Sequence, residues 1–168
     1  MRILVTGGTR SGKSAHAEAL LADRPAVTYL ATAPARPGDA AWTERIRAHR
    51  DRRPAHWTTR ETTDLGALAG GPVLLDSLGS WLTAQLDDLG AWDGEDRRAG
   101  YEERAALAVQ TIAAAEDLVI VSEEVGLGGI GAHPTARLFA DLLGELNQRV
   151  AAVCDEVHLV VAGRALRL

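Results

Sequence analysis

Directly after a short apolar run at residues 3–5, the chain reads Gly7-Gly8-Thr9-Arg10-Ser11-Gly12-Lys13-Ser14 and passes into Ala15-His16-Ala17-Glu18 at helical spacing. The spacing is G-x-x-x-x-G-K-[ST], set between a strand and a helix as the motif requires. The glycines let successive backbone N–H groups turn inward around phosphate oxygens, and the following helix points its positive end at the same place. Lys13 supplies a mobile point charge, and the Ser14 hydroxyl can bind a magnesium ion bridging the phosphates. A chance glycine-rich turn has no reason to carry a lysine here. Lys13 is the only lysine in the chain, against seventeen arginines, and a planar guanidinium does not replace a compact ammonium in a phosphate cradle.

The rest of the chain continues the alternation that this loop begins. Runs rich in Val, Ile and Leu recur at residues 3–5, 27–31, 73–75, 118–121 and 157–161 and read as buried strands. Helical spacing holds over residues 14–22, 40–50, 97–115 and 135–152. Strands alternating with helices predict an α/β fold: a mostly parallel sheet flanked by helices, with residues 166–168 closing it as a short edge strand. The 168 residues can bury one sizeable core and are too few for two ordinary domains, so residues 1–168 read as a single domain.

Composition narrows the function classes. The formal charge of −5 speaks against broad nucleic-acid binding. The one cysteine, Cys154, cannot form an internal disulfide and reads as packing, so a cytoplasmic location is expected. The first apolar run ends at glycines, far short of a signal peptide's core, and no run reaches the length of a membrane span. No membrane insertion is expected.

Three further features bear on chemistry. Val73-Leu74-Leu75-Asp76 ends in the acidic residue that a nucleotide enzyme of this type needs at the tip of a second strand. Asp76 is placed either to help hold the metal or to cap the segment running to Leu86. Residues 45–53 hold five arginines in nine positions, which suits phosphate recognition or a solvated helix face. Among them His49 follows Trp42 and Ile46 at helical spacing, so it is either packed on the inner edge or, with its pKa lowered by like charges, a neutral imidazole able to attack phosphorus. Residues 34–39 and 126–134, rich in turn formers after strands, are candidate site loops.

The same residues resemble a known family, the bifunctional adenosylcobinamide kinase and adenosylcobinamide-phosphate guanylyltransferase of cobalamin synthesis. The likeness covers nearly the whole chain. It rests on Ile3-Leu4-Val5-Thr6-Gly7-Gly8 through Gly12-Lys13-Ser14, on Tyr29-Leu30-Ala31-Thr32-Ala33, and on Arg53-Pro54-Ala55-His56-Trp57 after His49. It continues in Leu74-Leu75-Asp76, Trp81-Leu82-Thr83, Val121-Ser122-Glu123-Glu124-Val125-Gly126, Asn147-Gln148-Arg149 and Asp155-Glu156-Val157.

The resemblance implies a P-loop fold like that of recombinase-type (RecA-like) ATPases and two successive reactions. The first phosphorylates the aminopropanol hydroxyl of adenosylcobinamide with a nucleoside triphosphate; because a P-loop holds phosphates and ignores the base, ATP and GTP both suit this step. The second attaches GMP through a guanylyl-histidine, which the resemblance puts at His49. It also implies nucleotide contacts at Gly7, Gly8, Thr9, Arg10, Ser11, Gly12, Lys13 and Ser14, at Ala31, Thr32 and Ala33, at Arg50, Asp51, Arg52 and Arg53, and at Glu61 and Asp76. Mg2+ would be held by Ser14 and Asp76, the partner would be a small-molecule corrinoid, and the chain would form a homo-oligomer, with a trimer the form the resemblance suggests. Many members read Asn-Glu-Val-Gly where this chain has Glu123-Glu124-Val125-Gly126, followed here by a glycine-rich loop, so the acceptor side differs; Glu124 is a candidate either for the base that takes the acceptor hydroxyl's proton or for a structural role. Without the resemblance, the residues alone also admit a plain small-molecule kinase or a nucleotide-dependent binding module.

Overall fold

The computed structural model describes residues 1–33, 38, 44, 47, 51, 53–92, 98–129 and 131–168. The apolar run before the glycines forms β1 (Arg2–Gly7), between β5 (Leu118–Val121) and β6 (Glu156–Val161), parallel to both. Beyond β5 lie β4 (Val73–Asp76), β2 (Thr28–Ala31) and, at the edge, β3 (Thr58–Glu61), again all parallel. At the opposite edge β7 (Arg164–Arg167) runs antiparallel to β6. The order is β3-β2-β4-β5-β1-β6-β7.

Four helices are described: α1 (Lys13–Leu20), α2 (Leu78–Leu89), α3 (Arg98–Ala114) and α4 (Pro134–Ala151). Side chains alternate across a strand, so neighbours in each central strand enter different cores. Ile3, Val5, Tyr29, Leu74, Val119 and Val121 pack with Ala17 and Leu21 from the α1 side and with Trp57. Leu4, Leu30, Leu75, Leu118 and Ile120 pack with Leu82, Tyr101, Ile112, Leu143 and Leu146 from α2, α3 and α4. Both faces of the sheet are therefore covered, which is why these strands read as unbroken apolar runs in place of alternating ones.

The expected strands are all present, and the edge strand expected at 166–168 begins earlier, at Arg164. β3 was not expected. Thr58, Thr59, Arg60 and Glu61 are all exposed and carry no apolar signal; their extended form comes from pairing with β2. Three expected helices lie within two residues of their observed bounds, while most of the fourth, over residues 40–50, lies outside the described residues.

Candidate functional site

Parallel strands bring all their carboxyl ends to one edge, and there the loops leave the sheet. β1 delivers the glycine loop to the middle of that edge. Gly12, at φ 96°, is the left-handed residue from which α1 departs, and Arg10 also has positive φ, at 57°. The loop is tied to the C-terminal hairpin by the Gly163 N–H, which donates to the Ser11 carbonyl at 2.8 Å. A Cβ on Gly7 would stand 2.5 Å from the Val160 carbonyl oxygen, so only glycine lets the loop pass so close to β6.

Lys13 is only 6% exposed, and its ammonium donates across the loop to the Gly8 carbonyl at 3.3 Å. Ser14 follows in the first turn of α1, half-buried. The sequence-predicted phosphate cradle is thus one contiguous structure with its cation held inside it.

Register brings three more predicted residues to the same edge. Ala31 is paired with Asp76 on one side and with Glu61 on the other. Thr32 continues from Ala31; its hydroxyl donates to the Ser77 carbonyl at 2.7 Å and accepts from the Ser77 N–H at 3.0 Å, so this side chain joins the ends of β2 and β4. Ala33 is half-buried beyond it, and Glu61 is exposed.

Asp76 had two readings from sequence, metal contact or helix cap. The cap of α2 is Ser77, whose hydroxyl oxygen accepts from the Ser80 N–H at 3.2 Å. The Asp76 carboxylate instead accepts a hydrogen bond from the Tyr29 hydroxyl. Burial, and then the neighbouring Asp76 charge, hold the Tyr29 phenol well above its usual pKa, so it stays a donor.

From the arginine-rich segment, Arg53 reaches the same place. Its guanidinium carbon lies 3.2 Å from the centroid of the Tyr29 ring, and Nη1 donates to Thr59 Oγ1 at 3.1 Å. Asp51 belongs to a solvated group, 3.8 Å from Arg47, which also lies 4.0 Å from Glu44. His49, Arg50 and Arg52 lie outside the described residues.

Two residues near the cradle escaped the sequence reading. Tyr29 was hidden inside an apolar run whose hydropathy says only that it is buried. Glu123 was passed over for Glu124, yet its carboxylate is the one buried beside Lys13 and Asp76. Burial pushes the Glu123 pKa up, with Asp76 adding to this, while Lys13 and the nearby Ser77 and Gly79 groups oppose it. The signal available in advance was position: Glu123 follows Ser122 immediately beyond β5, the strand lying between Asp76 and the phosphate loop.

Among the described residues, no three of His, Cys, Asp or Glu converge to hold a metal ion, and no helix is long and apolar enough to cross a membrane. The donor set suits Mg2+, which takes one or two protein oxygens and completes its shell with phosphates and water.

The family model described as cobinamide kinase / cobinamide phosphate guanyltransferase matches residues 3–168. The chain belongs to this family. It is 40% identical over 184 aligned positions to the bifunctional adenosylcobalamin biosynthesis protein CobU of Salmonella typhimurium, covering 100% of this chain and 99% of that one. It is 37% identical to the protein of the same name from Escherichia coli K12, with the same coverage, and 41% identical to CobP of Pseudomonas aeruginosa, covering 97% of the latter. Among solved structures, a type III secretion system ATPase superposes with a TM-score of 0.56 at 14% identity, over 94% of this chain and 50% of that one. That likeness is one of fold.

Proposed function

We propose that this chain carries out both reactions of its family: it phosphorylates adenosylcobinamide with a nucleoside triphosphate, then attaches GMP from GTP to the new phosphate. The observation that carries this reading is the buried Lys13 within a formed phosphate cradle, on the same sheet edge as Asp76, in a chain matched by the family model from residue 3 to 168.

In the first reaction the loop amides and Lys13 hold the triphosphate, and the aminopropanol oxygen attacks the γ-phosphorus while the nucleoside diphosphate leaves. Ser14 and Asp76 are the residues that would hold Mg2+, which neutralises phosphate charge when bound. In the second, His49 attacks the α-phosphorus of GTP and expels pyrophosphate, and the cobinamide phosphate then displaces the imidazole. Covalent GMP divides one difficult transfer into two easier ones. Arg50, Arg52 and Arg53 neutralise charge at the transferring phosphate, with Asp51, Ala31, Thr32, Ala33 and Glu61 completing the nucleotide contacts.

The reading includes a single catalytic domain over residues 1–168, a cytoplasmic homo-oligomer such as a trimer, and a corrinoid partner without nucleic acid. The single seven-stranded sheet supports the first element and the charge of −5 supports the last.

The test is to incubate the protein with Mg2+ and GTP labelled at the α-phosphate, denature it, and measure retained label. Label that stays on the wild type, is released by acid and is absent from His49→Ala supports guanylyl transfer through His49. GTP binding without retained label removes the second reaction and leaves a plain kinase.

A further inference from the structure

The two nucleotide reactions draw on groups that arrive from different parts of the chain, Asp76 from the end of β4 and Arg53 from the segment after His49. One side chain touches both. Tyr29 lies in β2, paired with Leu74 of β4 on one side and Thr59 of β3 on the other, and is 2% exposed. A phenol this deeply buried must place its O–H on an acceptor, and an all-apolar core offers none. Its partner is the Asp76 carboxylate.

We infer that Tyr29 is a positioning residue for both reactions, its hydroxyl orienting the Asp76 carboxylate toward the metal and its ring seating the Arg53 guanidinium. The inference rests on the function proposed above. A carboxylate at a strand tip can turn about its last side-chain bond, and a fixed donor on one oxygen removes that freedom. This is how outer hydrogen bonds orient metal-binding groups in general. The cap of α2 is made by Ser77, while the Tyr29 hydroxyl donates to the Asp76 carboxylate.

Arg53 is gripped on two sides. Its guanidinium stacks 3.2 Å from the Tyr29 centroid and donates to Thr59, which is itself the β3 register partner of Tyr29. A guanidinium held over an aromatic face keeps its charge and its N–H groups available for phosphate oxygens. Among the described residues, buried Arg53 Nε has no hydrogen-bond partner, a donor that a phosphate oxygen would satisfy.

The decisive variant is Tyr29→Phe, which keeps the ring under Arg53 and removes only the hydroxyl. Mn2+ affinity in the presence of a non-hydrolysable GTP analogue, followed by electron paramagnetic resonance, is expected to weaken about tenfold, with a similar rise in the Mg2+ concentration that half-saturates cobinamide phosphorylation. In an Asp76→Asn background the same change is expected to have no further effect on metal affinity, since the two act as one unit. Arg53→Lys, which leaves Tyr29 in place, is expected to slow capture of α-labelled GMP about tenfold through loss of the guanidinium over the ring. Wild-type Mn2+ affinity in folded Tyr29→Phe would overturn the hydroxyl's role, and undiminished label capture in Arg53→Lys would overturn the ring's. The Mn2+ measurement needs no turnover, so failure of the proposed reactions, seen as a wild type without corrinoid-dependent GTP or ATP consumption, is distinguished from failure of this inference.

Discussion

The carboxylate of Glu123 lies directly against Gly79, where an added Cβ would stand 2.2 Å from Oε2 and 3.1 Å from Cδ. Gly79 is in the first turn of α2, and replacing a helical glycine by alanine ordinarily adds up to about 1 kcal/mol of stability. Here the clash decides the sign. Gly79→Ala is expected to cost about 1–3 kcal/mol in urea unfolding, the range for overpacking a closed site. Glu123→Ala should abolish that cost. Equal stability of Gly79→Ala and wild type would show that the carboxylate can move aside freely.

Glu123 also predicts a pH dependence. Its pKa is raised in the fold, so between the unfolded and folded values the native state binds more protons than the unfolded one, and stability falls as pH rises through that window. The groups facing it are Lys13 from α1, Asp76 at the end of β4, Ser77 just after it, and Gly79 from α2. Glu123→Gln cannot ionise. Relative to wild type it should gain stability as pH rises from the acid range to neutrality, read as a widening gap between two denaturation series. A constant gap would contradict the burial argument.

The glycines of the phosphate loop are not equivalent. A Cβ on Gly7 would meet the Val160 carbonyl oxygen at 2.5 Å and Ser11 Oγ at 2.6 Å, whereas nothing lies within 4 Å of one on Gly8. Gly7→Ala is expected to displace the loop from β6 and cost about 1–3 kcal/mol, with loss of nucleotide binding by calorimetry. Gly8→Ala is expected to unfold at the same denaturant concentration as wild type, within about 0.5 kcal/mol.

Cys154 is half-buried, and burial pushes its pKa up to about 11. Such a thiol is ionised to roughly one part in a thousand at about pH 8, and only the thiolate reacts readily. Labelling by a disulfide reagent is expected to be about 100-fold slower in the native protein than in denaturant. Rapid native labelling would place the thiol in an open setting instead.

Much of the fold was legible because its signals are local. A strand buried on both faces is a continuous apolar run, and β1, β4 and β5 show it; the phosphate loop is one contiguous segment, so its glycines and Lys13 stand together in the sequence. β3 was illegible, since exposed Thr58 to Glu61 are extended only through their pairing with β2.

Which residue caps α2 was likewise beyond the sequence, where Asp76 and Ser77 were equally fit to do so. Tertiary structure separated them by setting the Tyr29 hydroxyl, 47 residues away in the chain, on the carboxylate and leaving the cap to Ser77. The same holds for Glu123 and Glu124: adjacent residues leave a strand end in different directions, and only packing against α2 buries one carboxylate beside Lys13. Sequence by itself determined the strand–helix alternation, the phosphate cradle and the residues that carry the family resemblance. Which charged groups meet around that cradle was decided by the order and register of the strands, because parallel pairing gathers at one edge residues that the chain keeps far apart.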